Sequence, residues 1–237
     1  MRMLSATLGL SVMLFGVFAP AARAADEMIY TPIQPCRAFS TSSAVAAGQT
    51  RNFQITGSGS LTSQGGPASG CGVPAYAKAV SVNLSAVNPT AAGYLRSYAT
   101  GATPPGTTVV SYRSGANATA GATVALNSSG QMAVFVGGAA KVVGDITGYL
   151  APQMWANVNY LGGVQSSSGR VNSTVRAGTG IYYVTFDREI GSCSAMATSG
   201  DAARITSVFL QTNYVTVYIY STAGTLVDGN FVVSVKC

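Results

Sequence analysis

Seven carboxylates, four cysteines and no histidine define the chemistry open to this 237-residue chain. Ser-His-Asp and Cys-His hydrolases need an imidazole to move a proton, and most zinc enzymes need one as a ligand, so those classes are excluded. Paired carboxylates remain, since glycoside hydrolysis asks only for two acids at a set separation. The acids are Asp26, Glu27, Asp145, Asp187, Glu189, Asp201 and Asp228. Asp26 and Glu27 fall at a terminus that is expected to fray. Asp145 sits in a strand-to-turn stretch, where an aspartate ordinarily caps a turn by accepting backbone amides. Asp187 and Glu189, together with the turn Asp228-Gly229-Asn230, offer oxygen ligands of the kind calcium takes, but without the ordered acid spacing of a calcium loop. Turn chemistry is the preferred reading there too. Lys78 and Lys141 lie in no Ser-Lys motif, and Gly115 to Gly121 lacks the lysine and the helix of a phosphate-cradling loop. The chain is therefore read as a non-enzyme, with no catalytic residue, no cofactor and no metal site. A carboxylate-dependent hydrolase is the third choice of function.

The aromatic residues hold more promise. In Tyr214-Val215-Thr216-Val217-Tyr218-Ile219-Tyr220, a period of two puts Val215, Val217 and Ile219 on one face and Tyr214, Thr216, Tyr218 and Tyr220 on the other. An apolar core face backed by a tyrosine ladder results. Such tyrosines either pack across strands with their hydroxyls in water or form a surface for sugar rings or a partner subunit. Tyr160, Tyr182 and Tyr183 are candidates to extend that surface. Trp155, the only tryptophan, is expected as a buried wedge between domains, with sugar stacking as its alternative.

Residues 1 to 24 read as a secretory signal peptide. Arg2 is the charged start, Leu4 to Phe18 the apolar run, Pro20 the break, and Ala22-Arg23-Ala24 the small-x-small cleavage site. The run is shorter than the roughly 20 residues that cross a bilayer, so no membrane insertion is expected once the signal is removed. In an oxidising compartment, secreted or periplasmic, Cys36, Cys71, Cys193 and Cys237 should pair. Of the three connectivities, Cys36 with Cys71 and Cys193 with Cys237 keeps each bond inside one candidate domain. No Cys-x-x-Cys spacing suggests a metal instead.

The elements that must position these groups are strands. Only 8 % of residues are charged, and short β-branched runs are broken by Gly, Pro, Asn and Ser, with no convincing helical period. Ala79 to Leu84 alternates faces with Val80, Val82 and Leu84 inward. Further strands are expected at Arg51 to Ile55, Tyr94 to Tyr98, Val109 to Tyr112, Ala122 to Leu126, Met132 to Val136 and Lys141 to Ile146. A second series runs from Gly169 to Val175, Gly180 to Phe186, Ala202 to Leu210, Tyr214 to Tyr220 and Asn230 to Val235. The fold class is all-β, with two sandwich or barrel-like domains and one disulfide in each: residues 25–152, a linker or junction at 153–168, and residues 169–237. Without Arg2 and Arg23, eleven scattered basic residues face seven acids, a net charge of +4. Nothing in them tracks a phosphate backbone, so nucleic acid is not an expected partner.

Cys36-Arg37, Cys71-Gly72-Val73-Pro74, Val82-Asn83-Leu84, Asn88-Pro89, Gly93-Tyr94-Leu95, Ser111-Tyr112 and Gly144-Asp145-Ile146-Thr147-Gly148-Tyr149 together resemble a β module common in secreted bacterial proteins. Its members occur alone, in tandem or beside hydrolase domains, and the module's own function is largely unassigned. The family's Asp-Thr-Arg triplet after the first Cys-Arg is replaced here by Phe39-Ser40-Thr41-Ser42. The segments Gly180 to Phe186, Cys193, Ala197-Thr198 and Phe231 to Cys237 are similar to small C-terminal β domains of secreted and tail-fibre-like proteins, which implies a terminal attachment unit. The leading expectation is a secreted, non-catalytic binding or adhesion protein that recognises cell-surface glycan or protein through Tyr214, Tyr218, Tyr220, Tyr182 and Tyr183. A self-associating structural subunit, a homo-oligomer, is the alternative.

Overall fold

The computed structural model describes residues 27–237; the signal peptide expected at residues 1 to 24 lies outside them. The chain is all-β, built from four antiparallel four-stranded sheets. The N-terminal sandwich contains β1 (Met28–Ser40), β2 (Gln49–Gln54), β3 (Ala79–Val87), β4 (Gly93–Ala99), β5 (Val110–Tyr112), β6 (Ala118–Ala125), β7 (Gln131–Val136) and β8 (Lys141–Pro152). They order as β1-β8-β3-β6 and β2-β7-β4-β5.

The alternation read in the sequence is what closes this core. Val80, Val82, Leu84 and Ala86 on β3 are wholly buried, while Ser81, Asn83 and Ser85 face away. Phe39 on β1 stacks on Phe53 on β2 with ring centroids 3.8 Å apart, joining the two sheets. Gly144 on β8 lies under that ring, where a Cβ would strike it. β1 runs through Pro32 and Pro35, and its pairing with β8 shifts between Pro32 and Cys36. Proline removes a ladder donor, so it is tolerated because β1 is an edge strand. The Cys36–Cys71 disulfide ties that irregular strand to the long loop before β3.

The C-terminal sandwich contains β9 (Met154–Val158), β10 (Val164–Ser167), β11 (Val171–Gly178), β12 (Ile181–Phe186), β13 (Ser194–Ser199), β14 (Arg204–Leu210), β15 (Tyr214–Ser221) and β16 (Phe231–Lys236). Its sheets order as β10-β9-β16-β13 and β11-β12-β15-β14. Tyr182, Val184, Phe186, Val215, Val217, Ile219, Phe231 and Val233 fill a second core separate from the first. The Cys193–Cys237 disulfide fastens the end of the chain beside β13. For loops of this length the chain-entropy model assigns about 4 kcal/mol to each bond.

Residues 153–168, expected as a linker, are instead a hairpin of this second domain. β9 pairs with both β10 and β16, and Met154, Ala156 and Val158 are in the core. Trp155 is consequently not the expected buried wedge. It points outward from β9, half-buried, in one row with Ser234 and Met196.

Arg170 makes the junction contact. It is only 6 % exposed and forks onto Asp187 at 2.8–3.2 Å. It donates to the carbonyl of Pro152 at 3.2 Å and lies 3.7 Å from the ring centroid of Tyr76 in the first sandwich. A guanidinium taken out of water is tolerated here because a carboxylate, a carbonyl and a π face all meet it.

Candidate functional site

The outer face of the β11-β12-β15-β14 sheet collects four of the five tyrosines expected to bind. Register fixes its rows. Ser173, Thr185 and Tyr214 form one, and Val175, Tyr183, Thr216 and Phe209 the next. Ile181, Tyr218 and Ser207 follow, then Tyr220 and Ile205. Among the described residues, no charged side chain falls in these rows. Val175 is 51 % exposed, Ile205 54 % and Phe209 59 %, whereas Thr216 is buried among its neighbours.

The tyrosines pack on one another as well as facing water. Tyr183 and Tyr214 have ring centroids 5.3 Å apart, and Tyr218 and Tyr220 lie 6.4 Å apart, nearly parallel. Such contacts hold the rings in fixed rotamers, so little freedom is left to lose when something is laid across them. Phe209 and Ile205 lie on β14, at the sheet edge. No tyrosine marks them in the sequence, and since Ile205, Ser207, Phe209 and Thr206, Val208, Leu210 each include two apolar residues, alternation alone does not tell which face is exposed.

Tyr182 does not belong to this face. Adjacent residues of a strand point to opposite sides, so Tyr182 and Tyr183 cannot share a surface. Tyr182 is buried against Phe231, and its hydroxyl lies 3.0 Å from Asp228 Oδ1 and 2.9 Å from the Tyr160 carbonyl. Burial raises its pKa. Asp228 also accepts from Arg176 Nε and Nη2 at 2.9 and 2.7 Å and from the Gly180 amide at 2.9 Å. The Arg176 hydrogen bonds, followed by that amide, lower its pKa to about 2.

Three other carboxylates are also held by hydrogen bonds. Asp187 holds Arg170, and Asp201 accepts from the backbone and side-chain amides of Asn230, which lower its pKa. Asp145 is not at a turn. It lies within β8 opposite Arg37, with which it forms an ion pair at 3.0 Å, because the strand continues to Pro152. Among the described residues no group of three His, Cys, Asp or Glu side chains comes together for a metal ion. Asp187, Glu189 and Asp228 are therefore not gathered into one group.

These features define a disulfide-bonded all-β protein of two sandwiches, the second carrying an uncharged aromatic face. No helix among the described residues is long and apolar enough to cross a membrane. The chain matches no protein-family model and no curated protein.

Proposed function

We propose that this is an exported, non-catalytic binding or adhesion protein, which recognises cell-surface glycan or protein through the outer face of its C-terminal sandwich. The observation that carries this reading is the uncharged surface formed by Val175, Tyr183, Ile205, Phe209, Tyr218 and Tyr220. Contiguous exposed apolar surface marks interaction sites in folded proteins. The two disulfides fit an oxidising compartment, extracellular or periplasmic. The test is binding of the purified chain to a glycan array and to intact cells beside Tyr218→Ala and Phe209→Ser. At least tenfold weaker binding by both variants is expected; unchanged binding overturns the assignment.

A second reading, self-association into an extracellular assembly, is favoured by the aliphatic share of that face, Val175 and Ile205 beside Phe209. Light scattering across a dilution series separates the two. A monomer at all concentrations removes self-association, whereas an oligomer that Phe209→Ser dissolves supports it.

A further inference from the structure

The two sheets of the N-terminal sandwich end side by side in unpaired edge strands, β1 and β2. One side chain bridges them. Gln64 accepts from the Gln54 amide at 3.0 Å and donates to the Gln54 carbonyl at 2.8 Å, the two bonds a neighbouring strand would make. Its amide nitrogen also donates to the Ala38 carbonyl on β1 at 2.9 Å. The turn that carries it is pressed onto β1 so closely that a Cβ at Gly65 or Gly66 would strike the Ser40 or Ala38 carbonyl, and Gly65 has φ 85°. Gln64 thus completes the β2 edge at one residue.

Beyond Gln64 no described residue completes it. The Ile55 amide bonds to Gly130 in line with the β7 register, so Phe53 and Arg51 face β7, whereas at Gln49 the ladder is irregular and the amide bonds to Ala46. By the alternation of an antiparallel ladder, the amides and carbonyls of Asn52 and Thr50 point the same way as those of Gln54, to the open side. They face a cleft of about 700 Å³, walled by Ser40 to Ala46 on one side and Gln49 to Phe53 on the other. That volume lies within the roughly 300–1,000 Å³ typical of ligand clefts. Val45 and Phe53 are buried at its base, and Arg51 is exposed. Arg51 has no carboxylate partner among the described residues, whose three ion pairs all involve other arginines.

We infer that this cleft takes an extended peptide, which adds as a strand to β2 through the backbone of Thr50 and Asn52 and places an acidic side chain against Arg51. Main-chain bonds supply affinity in such strand addition, and side-chain contacts supply selectivity. Gln64 already shows the edge occupied in strand fashion, and Arg51 disfavours basic partners. This site is in the other domain from the aromatic face and does not depend on it.

The test is selection from a displayed heptapeptide library on the full-length chain, followed by synthesis of the enriched peptides. Asn52→Pro removes one outward amide while leaving the β7 ladder intact, as an edge strand allows. Enriched peptides should lack proline and carry Asp or Glu. They should slow exchange of the Thr50 and Asn52 amides, and should bind at least tenfold more weakly to Asn52→Pro and to Arg51→Gln. Should Asn52→Pro fail to fold, backbone N-methylation of the peptide tests the same bonds and should abolish binding. The inference is overturned if no peptide is enriched over the Arg51→Gln chain, if N-methylated peptides bind equally, or if the spectral changes fall on β12, β14 and β15. It is also overturned if trigalacturonate occupies the cleft and the peptides do not.

Discussion

On the outer face of the N-terminal β2-β7-β4-β5 sheet, Arg96 lies 4.8 Å from the ring centroid of Tyr94 and 5.9 Å from that of Phe135, so a cation covers the aromatics. On the corresponding C-terminal sheet, β11-β12-β15-β14, no cation among the described residues lies over Tyr183 or Phe209. Of the exposed large hydrophobic side chains among the described residues, only Met28 and Tyr30 belong to the first sandwich, while Val175, Met196, Ile205 and Phe209 are among the many in the second. Both domains bury their alternate residues in the same manner, yet the second leaves more large apolar side chains in water. Exposed apolar surface of this kind supports the proposal that the second domain carries the binding face. The first offers backbone donors and hydroxyls at the β2 edge, with Arg51 beside them.

The largest effect should come from breaking one core at a time. Phe39→Ala should cost the first sandwich about 4 kcal/mol, and Phe231→Ala should cost the second a similar amount. Because the cores are separate, calorimetry should show one transition moving for each variant. A single transition that moves equally in both would break the two-domain comparison.

Arg170→Ala should be the next largest, about 3 kcal/mol, since it strands Asp187 beside a partly buried junction. Unlike the core variants it touches both sandwiches, so it should lower both transitions and separate them further. If only the C-terminal transition falls, Tyr76 and Pro152 gain nothing from Arg170.

Acid sharpens the comparison at smaller scale. Asp228 is held at about 2, below its ordinary value near 3.8, chiefly by Arg176. Its contribution is thus full above roughly pH 4 and is lost as the pH falls toward 2. Allowing for solvent screening, the C-terminal sandwich should lose about 1 kcal/mol through this group across that window, and Asp228→Asn should remove that part of the pH dependence. Urea unfolding at pH 5 and pH 2.5 measures it. Phe209→Ser should be smallest of all, within about 0.5 kcal/mol of the parent, because the side chain is mostly in water.

Strands with strong alternation, β3 and β15 above all, were legible because core residues recur every second position. β1 was not, since Pro32 and Pro35 read as strand breakers and only its edge position admits them. β13, Ser194 to Ser199, is built of small and polar residues whose pairing with β16 alone makes it a strand. β9 and β10 were hidden by the Pro152 break and the serine run. The disulfide pairing followed from domain locality, and the tyrosine ladder from period two. The same parity should have separated Tyr182 from Tyr183. Phe209 was not legible, since each face of its strand includes two apolar residues. Arg170 carried no local signal, for its partners Tyr76 and Pro152 come from another domain.

The proposed binding face is the uncharged outer sheet of the C-terminal sandwich. Its most direct measurement is attachment of the full-length chain to intact cells compared with Tyr218→Ala/Phe209→Ser, with the thermal transitions of both recorded. Attachment weakened at least tenfold, with both transitions retained, is expected. Attachment equal to the parent, in a folded double variant, would contradict the proposal.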